Sequence, residues 1–294
     1  MKLARSLIAD GQAAVIVNAD ASQVYRDIPI LSAQPTPQEQ ALAPHRLYGE
    51  WDGACACDAA QWADAARSAI RDGHAASALP ILVGGSGLYI RTLLDGIAPV
   101  PPIDALVRER VRAMDVGEAH SALMAADPAA ASRLNPADTT RIRRALEVVQ
   151  STGRTLADWQ REKAGGIGNA IRLTPLILLP PRDWLRARCD ARFSAMIDDG
   201  AIDEVRMLID RELAPSLPVM RAIGVPEIAA FLAGGMSLAD ATEQASAATR
   251  QYAKRQYTWF RHQPPTAWPR STSELNDIEI DDLVIKLRQS LLTS

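Results

Sequence analysis

Two short apolar runs set the frame of this chain. Ala13-Ala14-Val15-Ile16-Val17 is continuous and largely β-branched, and Pro80-Ile81-Leu82-Val83 repeats the pattern further on. Runs that are apolar at every position, not at alternate ones, suit strands buried on both faces of a parallel sheet. The first ends in Asn18-Ala19-Asp20 and the second feeds Gly84-Gly85-Ser86-Gly87. Between them Asp58 can cap a helix that extends to about Gly73. Strand, helix, strand, glycine turn and helix is the order of a parallel α/β core.

Around this frame, residues 3–10 have helical spacing stopped by Gly11, and a Pro-rich irregular stretch runs from Ile28 to Pro44. From about Pro101 the character changes. Residues 104–163 are helical in period with no strand candidate, with Asp127-Pro128 and Asn135-Pro136 as helix starts, up to Gly165-Gly166-Ile167-Gly168. Leu173 to Leu179 reads as a further strand and the remainder as helix, including a long segment from a capping box at Ser237 and Asp240 to about His262. The expected architecture is an α/β core of residues 1–100 and 173–294 interrupted by an all-helical insertion at 101–172. A length of 294 residues suits two such domains.

Composition removes several function classes. With 48% apolar and 23% charged residues, the chain reads as an ordinary soluble globular protein. Cys55, Cys57 and Cys189 cannot build a disulfide framework and are poorly spaced for zinc, and His45, His74, His120 and His262 show no metal spacing. No apolar run approaches the roughly 18 residues of a membrane span, and the start is not a secretory leader. A cytoplasmic setting without membrane contact is expected. No serine elbow or Cys/His pair supports a hydrolase.

A net charge of −3 means that any nucleic-acid contact must come from a local patch. One segment qualifies. Between Glu243 and Glu274 there is no acidic residue, while Arg250, Lys254, Arg255, Arg261 and Arg270 alternate with Tyr252, Tyr257, Trp259, Phe260 and His262. Cations four apart share a helix face and can track phosphates, and the rings can stack on bases. The same pattern also fits a solvated basic face with its aromatics in the core. Arg141, Arg143 and Arg144 form a second cluster and Arg108, Arg110 and Arg112 a third; each can equally be paired with acids. Asp20 sits at the end of a strand, where open α/β sheets hold ligands, and can accept a proton or cap a loop. The glycine turn can face an anion or be a tight bend.

Taken together, these segments resemble a family. Asp20-Ala21-Ser22-Gln23-Val24-Tyr25 resembles the D-S-x-Q-V-Y segment of tRNA dimethylallyltransferases, and Pro44-His45-Arg46-Leu47 their P-H-H-L element. Val83-Gly84-Gly85-Ser86-Gly87-Leu88-Tyr89 is similar to V-G-G-T-G-L-Y. Asp138 to Glu147 resembles D-x-x-R-x-x-R-A-L-E, and Thr249 to Trp259 resembles T-R-x-Y-A-K-R-Q-x-T-W. Five elements in order span residues 13–262.

The resemblance implies a P-loop-NTPase-like parallel core and transfer of a dimethylallyl group from its diphosphate to N6 of the adenine at position 37, beside the tRNA anticodon, with Mg²⁺ as cofactor. An exocyclic amine is a weak nucleophile, so alignment and leaving-group stabilisation must supply the rate. By the resemblance Asp20, Ser86 and Arg221 are catalytic: base or orienter, hydroxyl at the reacting centre, and cation near the diphosphate. Asp20, Ala21, Ser22, Gln23, Arg108, Thr140, Arg141, Ile142, Arg143, Arg144, Arg250, Gln251, Tyr252, Ala253, Lys254 and Arg255 match tRNA-contacting elements. The insertion would close on the anticodon stem-loop, and the enzyme would act as a monomer.

The chain departs from the family pattern in two places. Members open with a phosphate loop similar to G-P-T-A-S-G-K-[ST], whereas Met1-Lys2-Leu3-Ala4 aligns with the helix after it and no G-x-x-x-x-G-K-[ST] occurs here. The expectation is a true start upstream of Met1, and poor catalysis with exposed sheet edges for the chain as written. Ile28-Pro29-Ile30-Leu31-Ser32 replaces a G-L-D-I-G-T-like segment. Competing expectations are an inactive tRNA-binding relative, a transferase acting on free adenine nucleotides, and a small-molecule kinase. The first predicts salt-sensitive tRNA affinity without turnover, and the second activity on AMP. The kinase lacks its loop and lid.

Overall fold

The computed structural model describes residues 1–293. It forms two units, one of Met1–Arg91 with the chain from Ile171 onward, the other of Thr92–Ala170. The first unit opens with α1 (Lys2–Ala9) and β1 (Ala14–Asn18). Then come α2 (Pro37–Gln40), β2 (His45–Arg46), α3 (Ala59–Ala75) and β3 (Leu79–Val83). The three strands form one parallel sheet in the order β2-β1-β3, with Ile16 opposite both His45 and Ile81. Every residue of β1 is buried, as a continuous apolar run requires.

Three details differ from the sequence reading. β3 is only half-buried, and Val83 is 44% exposed. It lies at an edge of the sheet, where Pro80, lacking an N–H, is tolerated. α3 runs two residues past Gly73, to Ala75. A Cβ on Gly73 would lie 3.1 Å from a Val15 methyl, so this glycine serves close helix–strand packing instead of a cap. Asp58 does cap the helix: its carboxylate accepts from the amides of Ala60 and Gln61, both at 2.9 Å. The irregular stretch hides α2, started by a Thr36/Glu39 capping box.

α4 (Gly87–Asp95) runs across the division at Arg91. The second unit then holds α5 (Ala105–Ala113), α6 (Val116–Ala126), α7 (Pro128–Arg133), α8 (Thr139–Thr152) and α9 (Leu156–Arg161). Its core gathers Val111, Leu123, Ile142 and Leu146, all fully buried. Asp127 caps α7 with Pro128 at the first helical position. Asn135-Pro136 starts no helix: the Asn135 side chain closes a turn onto the Ala137 amide, and Asp138 caps α8. The glycine break is a close approach of two chain segments, since a Cβ on Gly166 would lie 2.6 Å from the backbone at Leu94 and Asp95.

Back in the first unit, β4 (Ile177–Leu178) pairs in parallel with β5 (Arg270–Ser271) as a separate two-stranded sheet. The strand expected over Leu173–Leu179 shrinks to this pair because Pro175 and Pro180 bracket it. Between and after these strands lie α10 (Arg182–Asp198), α11 (Ala201–Ile209), a 3₁₀ turn at Val219–Arg221, α12 (Val225–Leu232), α13 (Leu238–His262) and α14 (Asp277–Thr293). α13 packs on α10 and α12, and α14 on α1. The box at Ser237 is half of what the sequence suggests. The hydroxyl accepts from the Asp240 amide, but the Asp240 carboxylate takes that hydroxyl, not the Ser237 amide. Among the described residues no helix is long and apolar enough to cross a membrane.

Candidate active site and basic surfaces

The carboxyl ends of β1 and β3 are stitched together. The Ala19 amide donates to the Val83 carbonyl at 2.7 Å, and the Ser86 amide returns a bond to the Ala19 carbonyl at 3.0 Å. This contact is possible only at a glycine: a Cβ on Gly84 would sit 2.2 Å from the Ala19 carbonyl carbon. The Ala21 amide then donates to the Ser86 hydroxyl at 2.8 Å. Asp20 and Ser86, named from sequence, are thereby brought to one place. Ser86 is buried and Asp20 partly so.

Asp20 folds its carboxylate onto its own loop, accepting from the Ser22 amide at 2.9 Å. Burial pushes the carboxyl above the usual carboxylate range, against the pull of the Ser22 and Gln23 amides and the Arg192 charge. Three phenols feel the Asp20 charge. Tyr48 is pushed up to about 12, first by burial and then by that charge. Tyr89 and Tyr252 are raised too, again with burial first. All three stay protonated donors at neutral pH. Tyr89 stacks on Trp62 with centroids 4.5 Å apart.

α13 covers the glycine turn. Gln256 donates to the Gly85 carbonyl at 3.1 Å, and Cβ atoms on Gly85 and Gly87 would strike Gln256 and the Trp259 ring. Tyr252 interacts through its hydroxyl with Ser86 and Gln256. Sequence reasoning gave Tyr252 a tRNA-contacting part by resemblance, counted Trp259 only among the rings that can stack on bases, and missed Gln256 and Arg192. The available signal was spacing: 252, 256 and 259 fall on one helix face.

The arginines divide into free and engaged ones. Arg250 does not project a bare cation. It pairs with Asp190 at 2.7 Å and Glu243 at 2.8 Å, and its side chain is 21% exposed. Lys254 and Gln251 are exposed, Ala253 is partly buried, and Arg255 lies over the Tyr252 ring. In the helical unit Arg108, Thr140 and Arg144 are exposed, and Arg141, exposed as well, pairs with Asp138 at 3.5 Å. Arg143 is half-buried, donating to the Met114 carbonyl at 2.5 Å, with its Nε unpartnered. Ile142 belongs to the core and offers no side chain to solvent, because it lies on the inner face of α8. Gln23 also faces inward, donating to the carbonyls of Ser32 and Ala33 at 3.0 and 2.7 Å, while Ala21 and Ser22 line the Asp20 loop. Arg221 is exposed and donates to the Ser216 carbonyl; no contact joins it to Asp20 or Ser86.

A parallel sheet flanked by helices, with its polar groups at the strand ends, defines a P-loop-NTPase-like α/β protein with a helical unit inserted. The comparisons narrow this class. The model described as IPP transferase matches residues 23–263, and the chain belongs to that family. It is 63% identical over 278 residues to the tRNA dimethylallyltransferase of Sphingopyxis alaskensis, covering 95% of this chain and 91% of the relative. The same enzyme of Novosphingobium aromaticivorans is 62% identical over 260 residues, covering 88% and 92%. Among solved structures, a full-length tRNA isopentenylpyrophosphate transferase from Bacillus halodurans aligns with TM-score 0.68 at 29% identity, over 99% of this chain and 93% of that one. A eukaryotic dimethylallyltransferase acting on tRNA aligns with TM-score 0.73 at 27% identity, over 88% and 66%.

Proposed function

We propose that this chain is a tRNA dimethylallyltransferase that converts the adenine beside the anticodon, position 37, to N6-isopentenyladenosine. The observation that supports this most directly is the Asp20 carboxylate, held with raised basicity beside the Ser86 hydroxyl at the strand ends. The N6 lone pair attacks C1 of the dimethylallyl group as the C1–O bond breaks. Diphosphate departs with that electron pair, and the proton released from N6 passes to Asp20. Ser86 orients the reacting centre, and Arg221, once it leaves the Ser216 carbonyl, supplies positive charge to the diphosphate. The exposed Arg108, Arg141, Arg144, Lys254 and Arg255, with Thr140 and Gln251, would follow the backbone of the anticodon stem-loop. Ala21 to Gln23 shape the loop that receives the splayed base.

Mg²⁺ is part of this reading. Among the described residues no three His, Cys, Asp or Glu side chains are gathered around a metal position, so a cation caged by protein does not fit. A Mg²⁺ carried in on phosphate oxygens and water needs at most one or two carboxylates and would neutralise leaving-group charge. We further propose a cytoplasmic monomer.

The test incubates the purified chain with Mg²⁺, labelled dimethylallyl diphosphate and unmodified tRNA, digests the RNA, and looks for N6-prenylated adenosine. Labelled product in tRNA supports the proposal. Bound tRNA without product would make the chain an inactive relative, and product on AMP alone would make it a nucleotide prenyltransferase.

A further inference from the structure

Asn18 is the last residue of β1 and is completely buried. Its carboxamide works in two directions at once. Nδ2 donates to the Asp20 carbonyl at 3.0 Å and to the Leu47 carbonyl at 3.0 Å, while Oδ1 accepts from the Asp20 amide at 2.8 Å. One side chain therefore grips Asp20 by both its amide and its carbonyl and ties it to a second segment. That second anchor is stiff. Leu47 holds a left-handed φ of 66°, and its amide donates to Glu50 at 2.6 Å. The backbone of Asn18 is fixed in turn, its carbonyl accepting from Trp62 Nε1 at 3.0 Å.

We infer that Asn18 is a positioning residue: it sets the aim of the Asp20 carboxylate by clamping the Asp20 backbone against Leu47. The inference rests on the reading of Asp20 as the group that receives the N6 proton. Asparagine is suited to the task because it alone at this length offers one acceptor and two donors. Aspartate would set a carboxylate oxygen against two carbonyls. Serine could meet the Asp20 amide but not both carbonyls. Alanine would leave one amide and two carbonyls without their partners. A carboxylate displaced by an ångström loses much of its effect on a reaction that depends on alignment.

The experiment compares the wild-type chain with Asn18→Ala and Asn18→Ser in two ways. In the transfer assay, Asn18→Ala is expected to lower kcat about 10- to 100-fold, with KM for tRNA and for dimethylallyl diphosphate within about twofold of wild type. In an Asp20→Asn background the same substitution should cost nothing more, because Asn18 acts through Asp20. The second readout needs no substrate. Amide deuterium uptake should rise in the peptide covering 19–25 and stay unchanged across β1 and β3, with Asn18→Ser intermediate in both assays. An unchanged kcat, a further loss in the Asp20→Asn background, or faster exchange across the whole sheet would overturn the inference. If the wild-type chain transfers nothing, the functional reading fails by itself; the exchange pattern then decides alone whether Asn18 holds Asp20.

Discussion

Asp20 meets opposed demands: partial burial favours its neutral form, while the Ser22 and Gln23 amides and Arg192 favour its charged one, and burial wins. The sign of the pH effect follows. In its proposed role as base Asp20 must be unprotonated, so the acid limb of kcat/KM should lie above the ordinary carboxylate range, and a pH–rate profile of the wild-type chain reads it directly. Asp20→Asn keeps the shape and removes the basicity. It should lower kcat by about 10²- to 10⁴-fold while tRNA affinity, followed by filter binding, stays put. The sequence places Asp20 at a strand end and, by the resemblance, Ser86 beside it, and the structure brings their two segments together. Asn18 and Gln256 were not legible in this way, because their parts depend on carbonyls of Leu47 and Gly85 that the sequence places far away.

At the scale of elements, the join between β1 and β3 depends on an absent side chain. Gly84→Ala would force a methyl into the Ala19 backbone, and a loss of about 1–3 kcal/mol should appear as a lowered midpoint in thermal unfolding. The loop at Ile30 and Leu31 hangs on a different device, the buried Glu204, which accepts both amides at 2.7 and 2.9 Å. Burial raises its carboxyl above the ordinary value. The folded state thus holds that proton more tightly than the unfolded chain, and stability falls as pH rises from the ordinary carboxylate range through the raised value. Glu204→Gln should flatten that part of the curve of melting midpoint against pH. The α/β rhythm, the Asp58 cap and the long α13 were readable because local period and capping chemistry specify them. The extent of β4 and the half-exposure of β3 were not, since partners elsewhere in the chain decide them.

The basic residues act at the scale of the whole molecule, where pairing decides which of them a polyanion can use. Arg108→Ala and Arg144→Ala should each flatten the log–log dependence of tRNA affinity on salt by about 0.7–0.9, leaving the melting midpoint unchanged. Arg250→Ala should do the reverse, lowering the melting midpoint while the salt slope stays, because its guanidinium already holds Asp190 and Glu243. Fluorescence anisotropy across a salt series separates the two behaviours. The glycine turn at Gly84–Gly87 is covered by Gln256 and Trp259, with the whole helical unit lying between them in the chain. On a ribosome adding roughly 5–20 residues per second, that turn emerges on the order of ten seconds or more before its cover is synthesised. The helical unit, built from neighbours in sequence, can settle during that wait. The proposed site at Asp20 and Ser86 is therefore among the last things the nascent chain completes.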